Sequence, residues 1–293
     1  MLKAKTTFVL VMLIFGSIGL FVRNIDLSSS EIALFRGLIG GVFLIGASFI
    51  LKQKIKLRIS KRNLFLLIFS GSALGFNWIF LFESYQHTTI SNATLSYYFA
   101  PVFVMILAPI MLKERWTWKK GVSIAIAMIG LFLVIQPENG ISSDTYNHSV
   151  GIIYGLLAAV LYASVIMMNK FMQVLSDFET TVIQLVVASI ILLPYVLFTE
   201  DMNIADLGIQ SIGLLVVVGI VHTGLAYLLY FASMKKISGQ TIGILSYLDP
   251  ISAVIMATIL LQESMSILQM IGGVCILGST FISELRVKKM VRG

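Results

Sequence analysis

The stretch Pro101-Val-Phe-Val-Met-Ile-Leu-Ala-Pro-Ile-Met-Leu-Lys-Glu114 and the stretch Pro250-Ile-Ser-Ala-Val-Ile-Met-Ala-Thr-Ile-Leu-Leu-Gln-Glu263 are two versions of one element. Each runs from a proline to a glutamate across the same interval, and the two lie 149 residues apart. Both sit in long apolar segments. Self-similarity at a fixed offset marks a duplicated architecture, so the rest of the chain is read against that offset.

The matching extends outward from the two elements. Gly75-Phe-Asn-Trp-Ile-Phe-Leu-Phe82 pairs with Gly224-Leu-Ala-Tyr-Leu-Leu-Tyr-Phe231 at the same offset, and Phe15-Gly-Ser17 pairs with Tyr162-Ala-Ser164 within two residues of it. Glu31 matches Glu179, and Arg36 stands opposite Gln184. Glycines are spaced along the last segment of each half, Gly121 and Gly130 in one and Gly272, Gly273 and Gly278 in the other.

Composition sets the medium. The chain is 58% hydrophobic with a mean hydropathy of +0.95, and only 12% of it is charged, against roughly a quarter in a soluble domain. A spanning helix needs about 20 mainly apolar residues. Ten such segments are legible: 6–22, 31–51, 64–84, 90–112, 119–136, 150–172, 179–199, 211–231, 239–261 and 266–284. Helices are expected because backbone groups cannot go unpaired in lipid and the runs lack the two-residue alternation of barrel strands. The fold class is an all-α integral membrane protein of ten transmembrane helices. It divides into a first five-helix repeat over 1–136 and a second over 150–293, joined by a polar stretch. An odd number of spans per repeat inverts the second half relative to the first, with a pseudo-two-fold axis in the membrane plane and a binding site expected between the halves.

The net charge of +7 reports orientation and does not call for a nucleic-acid partner. With the N-terminus in the cytoplasm, 19 of the 21 basic residues fall in cytoplasmic segments, from Lys3 and Lys5 through Lys52–Arg62, Lys113–Lys120, Lys170 and Lys235–Lys236 to Arg286–Arg292. Arg23 lies in an outside loop and Arg36 inside a span. Both termini are therefore expected in the cytoplasm, in the cell membrane. The first apolar run is read as an uncleaved helix, being too long for a signal peptide and lacking a clear cleavage site. The single Cys275 excludes an internal disulfide and a cysteine metal site. Neither a metal nor a cofactor is expected, and scattered His87, His148 and His222 argue against a membrane enzyme acting on lipid or a lipid-linked sugar.

Some polar residues lie where the membrane makes them costly. Asp249 falls about eleven residues into the ninth span, near mid-bilayer, where a carboxylate costs on the order of 2.5–3.5 kcal/mol. It suits a proton-coupling site or a cation ligand, or a bonded residue at a bent helix. Pro250 beside it, like Pro101, removes a backbone hydrogen bond and bends the chain. Arg36 and Glu83 are expected in the outer half of the bilayer, either as an ion pair or as pathway residues with Arg36 holding a substrate carboxylate. Aromatic residues flank the prolines. Tyr98 and Tyr247 are counterparts, and so are Trp78 and Tyr227, with Tyr97 and Tyr230 nearby; such rings stack on planar groups or hold cations. Asn77 completes the expected cavity set, while Asn92, Asn169, Gln240 and His222 suit interhelical hydrogen bonds. Glu114 and Glu263 close the repeated element and point to a structural role. Trp116 and Trp118 suit interface anchors. Gly37, Gly40 and Gly41, like Gly151 and Gly155, suit close helix packing or a homodimer contact.

The two five-span halves, and above all Asp249-Pro250 through Glu263 to Gly272-Gly273 and Ala100-Pro101 through Glu114 to Gly121, resemble the EamA-type branch of the drug/metabolite transporter superfamily. The resemblance covers nearly the whole chain. It implies a secondary transporter of small organic molecules, often an exporter of amino acids, metabolites or drugs, driven by a proton or substrate gradient. The same fold would also suit an importer or facilitator of a nucleobase or an amine, because fold alone does not choose a substrate.

The topology is checked by labelling. In a chain with Cys275→Ser, Asn139→Cys is expected to react with an impermeant thiol reagent from outside intact cells. Labelling only after lysis would reverse the orientation.

Overall fold

A computed structural model describes residues 2–52, 59–113, 116–135, 147–172, 175–201, 207–237 and 239–285. Glu114, Arg115, Lys54, Lys56, Arg58, Asn139 and the basic residues from Arg286 onward lie outside the described residues, as does the side chain of Gln240. The described chain is helical: α1 Leu2–Val22, α2 Ser29–Ile50, α3 Lys61–His87, α4 Ile90–Tyr97, α5 Ala100–Met111, α6 Trp118–Ile135, α7 His148–Phe171, α8 Asp177–Thr199, α9 Ile209–Val217, α10 Ala226–Met234, α11 Gly239–Ser246, α12 Leu248–Leu260 and α13 Ile267–Leu285. A π-helical turn, Val218–Leu225, joins α9 to α10. Among the described residues nine segments are long and apolar enough to cross a membrane, and Ile267–Ser279 is a shorter apolar helix. The ten expected spans are thus recovered, with α1 and α3 running a few residues further into their polar ends.

Matching positions start and stop helices in both halves. Ser28 caps α2 and Ser176 caps α8, each in a capping box closed by Glu31 or Glu179 three residues on. These boxes satisfy backbone N–H groups that the first turn leaves orphaned. The repeated element behaves alike at both sites. A helix breaks at Tyr98-Phe99 and again at Tyr247, just ahead of Pro101 and Pro250, and the helices that follow end before residues with positive φ, Lys113 and Gln262, both at 54°. Proline lacks the N–H that would bond the carbonyl four residues earlier, so the carbonyls of Tyr97 and Ser246 lose their helical donors where the breaks occur. The π-helical turn lacks an obvious sequence mark, for the segment reads as uninterrupted apolar helix.

The helices also pair alike. α1 packs on α12 as α7 packs on α5, α2 packs on the π-helical turn as α8 packs on α3, and α6 packs on α13. Glycine permits the closest of these approaches. A Cβ at Gly16 would lie 2.6 Å from the Asp249 carbonyl, and one at Gly40 would lie 2.4 Å from Thr223 Cγ2. Gly37, Gly151 and Gly155 likewise meet Ser189, Thr88 and Ser96, so these glycines pack within the chain. Fully buried Phe8, Phe82, Ile32 and Leu44 form the interior, while Phe49, Ile50 and Phe198 stand exposed as a lipid-facing belt does. Trp116 and Trp118 are exposed too, as interface residues are.

One buried carboxylate ties three segments together. Glu263, just beyond α12, forms an ion pair with Arg23 Nη1 at 2.7 Å. It also accepts hydrogen bonds from the backbone N–H of Ile90 and Ser91, at 2.9 and 3.2 Å, and from Ser91 Oγ at 3.1 Å. A carboxylate at the N-terminus of α4 meets orphan donors and the positive end of the helix dipole. Glu263→Ala should therefore cost about 3–5 kcal/mol, the penalty of breaking a buried pair, read as a large fall in melting temperature in detergent. Glu263→Gln should recover part of the loss because its amide oxygen still accepts. An unchanged melting temperature for Glu263→Ala would leave the carboxylate without structural weight.

Candidate functional site: a central cavity at two helix breaks

A cavity of about 700 Å³ lies between the two halves of the chain. Its walls come from α1, α2, α3, α7, α8 and α10 and from both helix breaks. One end reaches exposed Asp177 at the start of α8, near the α7–α8 connection and Met234 at the end of α10. Toward the other end stand buried Ile18, Leu81, Tyr85 and Thr94, and the Glu263–Arg23 pair ties α1 to the start of α4 on that side.

The two breaks meet in this cavity. Tyr98, where α4 ends, donates its hydroxyl to Asp249 Oδ2 at 2.5 Å. Asp249 occupies the first turn of α12, at the positive end of that half-helix. A carboxylate in the bundle interior needs such partners, since solvation by lipid is unavailable. Around the pair stands an aromatic wall. Tyr97 meets Tyr98 edge-on at 6.0 Å and Tyr162 at 5.6 Å, and Tyr227 and Tyr230 lie against Phe15 at 5.6 and 6.2 Å.

Arg36 enters from α2. Its Nε donates to Thr223 Oγ1 at 2.8 Å, and its guanidinium lies over Trp78 at 4.5 Å and over Phe82 at 5.7 Å from the ring centroids. This contact is a cation–π arrangement, which strengthens with burial. Thr223 is held in turn, donating to the Val218 carbonyl at 3.1 Å across the π-helical turn.

Asp249, Tyr98, Tyr247, Trp78, Arg36 and Tyr227 all line the cavity, together with Pro101. Two others of the expected set lie elsewhere. Asn77 is fully buried and donates to the Ala158 carbonyl of α7 at 2.6 Å. It precedes Trp78 on α3, and the rotation of α3 turns Asn77 toward α7 while Trp78 faces the cavity. Glu83 is not paired with Arg36. It lies 3.5 Å from His87 and borders a separate polar recess of about 600 Å³ with Asp26, Glu31, Glu200 and Asp201. Pro250 is buried, is not among the lining residues, and acts through the break it makes.

Asn169 and His222 of the hydrogen-bonding set are bonded between helices, whereas Asn92 Oδ1 is buried without a partner among the described residues. Gln184 donates to Ser70 Oγ and to Asn169 Oδ1, each at 2.7 Å, and His222 Nε2 lies 3.0 Å from Ser17 Oγ with its ring against Phe21. Among the described residues no group of His, Cys, Asp and Glu could hold a metal ion. Tyr85, Tyr162, Thr94 and Asp177 are cavity residues that the sequence reading did not select. Tyr162 carried a usable signal, because its repeat partner Phe15 lines the cavity as well. Tyr85, in an ordinary helical run, carried none.

Apolar spans packed around an internal polar cavity are the architecture of a multi-pass membrane transporter. The chain belongs to the EamA-like transporter family, within the drug/metabolite transporter superfamily; the family's profile matches residues 2–136 and 149–285. It is 34% identical to the uncharacterized transporter YxxF of Bacillus subtilis (strain 168), over 97% of this chain and 91% of that one. It is 27% identical to an uncharacterized transporter of Archaeoglobus fulgidus, over 95% of each chain. A crystal structure of another protein superimposes on 97% of this chain and 98% of its own, with a TM-score of 0.64 at 17% identity, which shows the fold alone.

Proposed function

We propose that this protein is a secondary transporter that exports small organic metabolites such as amino acids by alternating access, with protons as the coupling ion. The observation that carries the reading is the Tyr98–Asp249 bond, which joins two helix breaks inside a cavity. A titratable carboxylate at such a point is well sited to exchange a proton as the cavity changes the side it faces. An inverted arrangement of the two halves would provide for alternation, and the matched capping boxes, helix breaks and helix pairings support that arrangement. The cavity reaches the connections near Asp177 and Met234, neighbours of Lys170, Lys235 and Lys236. By the bias of basic residues this face is cytoplasmic, so the conformation is one open inward. Asp249, Tyr98, Tyr247, Trp78, Arg36 and Tyr227 are the substrate-contacting residues of this reading, and it requires no cofactor.

The coupling role is tested in liposomes. Asp249→Asn should retain substrate exchange between two equal pools and lose accumulation driven by an imposed pH gradient. Gradient-driven accumulation at the wild-type level by Asp249→Asn would sink proton coupling through this residue. A thermal-shift screen of purified protein against amino acids, nucleobases, amines and dyes supplies the compound, since a ligand that binds the folded state raises its melting temperature.

A further inference from the structure

Arg36 is a charge without a counter-charge. It is 5% exposed and lines the cavity, and among the described residues no carboxylate lies within ion-pair distance of it. Of its donors only Nε is used, by Thr223. The Nη groups carry no hydrogen bond among the described residues. A buried guanidinium at membrane depth costs on the order of 2.5–3.5 kcal/mol, so keeping one with its outer edge unbonded calls for an anion or water beside it.

The edge is also held in a fixed plane. Trp78 and Phe82 lie against the guanidinium, and Thr223 anchors Nε at 2.8 Å. Thr223 does not rotate freely. Its hydroxyl donates to Val218 O, five residues back, a pairing that belongs to the π-helical turn, and its methyl packs against Gly40, one turn along α2 from Arg36. A short π segment within an α-helix often marks a functional position, and here it turns a threonine toward the arginine. A guanidinium held by Nε with its Nη edge open matches the two oxygens of a carboxylate.

We infer that Arg36 is the docking point for a carboxylate of the transported molecule and that Thr223 is its positioning residue. This inference rests on the transport reading above and names its substrate class. The lining holds one guanidinium and, elsewhere in the same cavity, the carboxylates of Asp249 and Asp177. Sites of both signs in one cavity suit a zwitterion, a carboxylate with an amino group, and disfavour a dianion such as a phosphate ester.

The test uses the full chain in liposomes and a panel of L-amino acids, each with its carboxamide and its decarboxylated amine, plus phosphoserine. The expected result is exchange of one or more free acids, with the matching amide and amine at least tenfold weaker and phosphoserine inactive. Thr223→Val should raise the half-saturation concentration for the acid about tenfold, as loss of a hydrogen bond to a charged group does, while keeping the maximal rate. Thr223→Ser should restore it. Arg36→Lys, which keeps the charge but not the fork, should weaken the acid by a larger factor than its amide. If Thr223→Val does not fold, the Thr223→Ser and Arg36→Lys comparison of acid against amide carries the test. Amides or amines exchanged as well as acids would overturn the carboxylate assignment and leave the transporter standing. Equal losses for acid and amide in Thr223→Val would overturn the positioning role. Exchange of no compound in the panel would count against both the inference and the proposed amino-acid substrate.

Discussion

The hydrogen bond from Tyr98 to Asp249 joins the two places where the helical ladder is interrupted. In lipid an interrupted helix is tolerated only where protein or a water-filled cavity receives the freed backbone groups. Each break therefore needs an interior, and the two breaks share one. The cavity, its aromatic wall and the small residues that bring α1 against α12 follow from that requirement. Gly16 lets α1 come within contact distance of the Asp249 carbonyl, which closes the wall behind the break.

Arg36 and Asp249 illustrate two ways of keeping a charge inside a bundle. Asp249 is partnered within the chain, by a phenol hydroxyl and by its position at the start of a half-helix. Arg36 is fixed in place by one hydrogen bond and two aromatic faces, yet among the described residues no carboxylate pairs with its charge. A group held rigidly and left uncompensated is pre-organised for something that arrives later. Glu263 is the contrast: its ion pair and three further hydrogen bonds are already in place, as befits a structural carboxylate.

Much of this was legible in the residues. Apolar run length locates helices because the bilayer sets a minimum span, and proline marks the breaks because a missing N–H acts locally. Six of eight expected cavity residues line the cavity: Tyr98, Tyr247 and Asp249 flank those breaks, Trp78 and Tyr227 are repeat counterparts, and Arg36 is a charge that a span keeps from lipid. Asn77 lies off the cavity because the rotation of α3 gives it to the Ala158 carbonyl of α7, and the sequence does not specify that rotation. Glu83 was misjudged because nearness to Arg36 depends on the rotation of α2 against α3. The π-helical turn was invisible, since Val218–Leu225 differs from an α-helix by the register of its hydrogen bonds and not by composition.

α12 holds α4 at both ends. Asp249, at its start, takes the Tyr98 hydroxyl where α4 finishes, and Glu263, just past its end, takes the amides where α4 begins. Two antiparallel rods pinned at both ends cannot slide or splay relative to each other without releasing a pin. α4 and α12 thus behave as one plank, and the joints left to bend lie outside it, at Phe99 leading into α5 and at Tyr247 leading back into α11. A rocking motion of this molecule would pivot about those two joints, with the plank as its fulcrum.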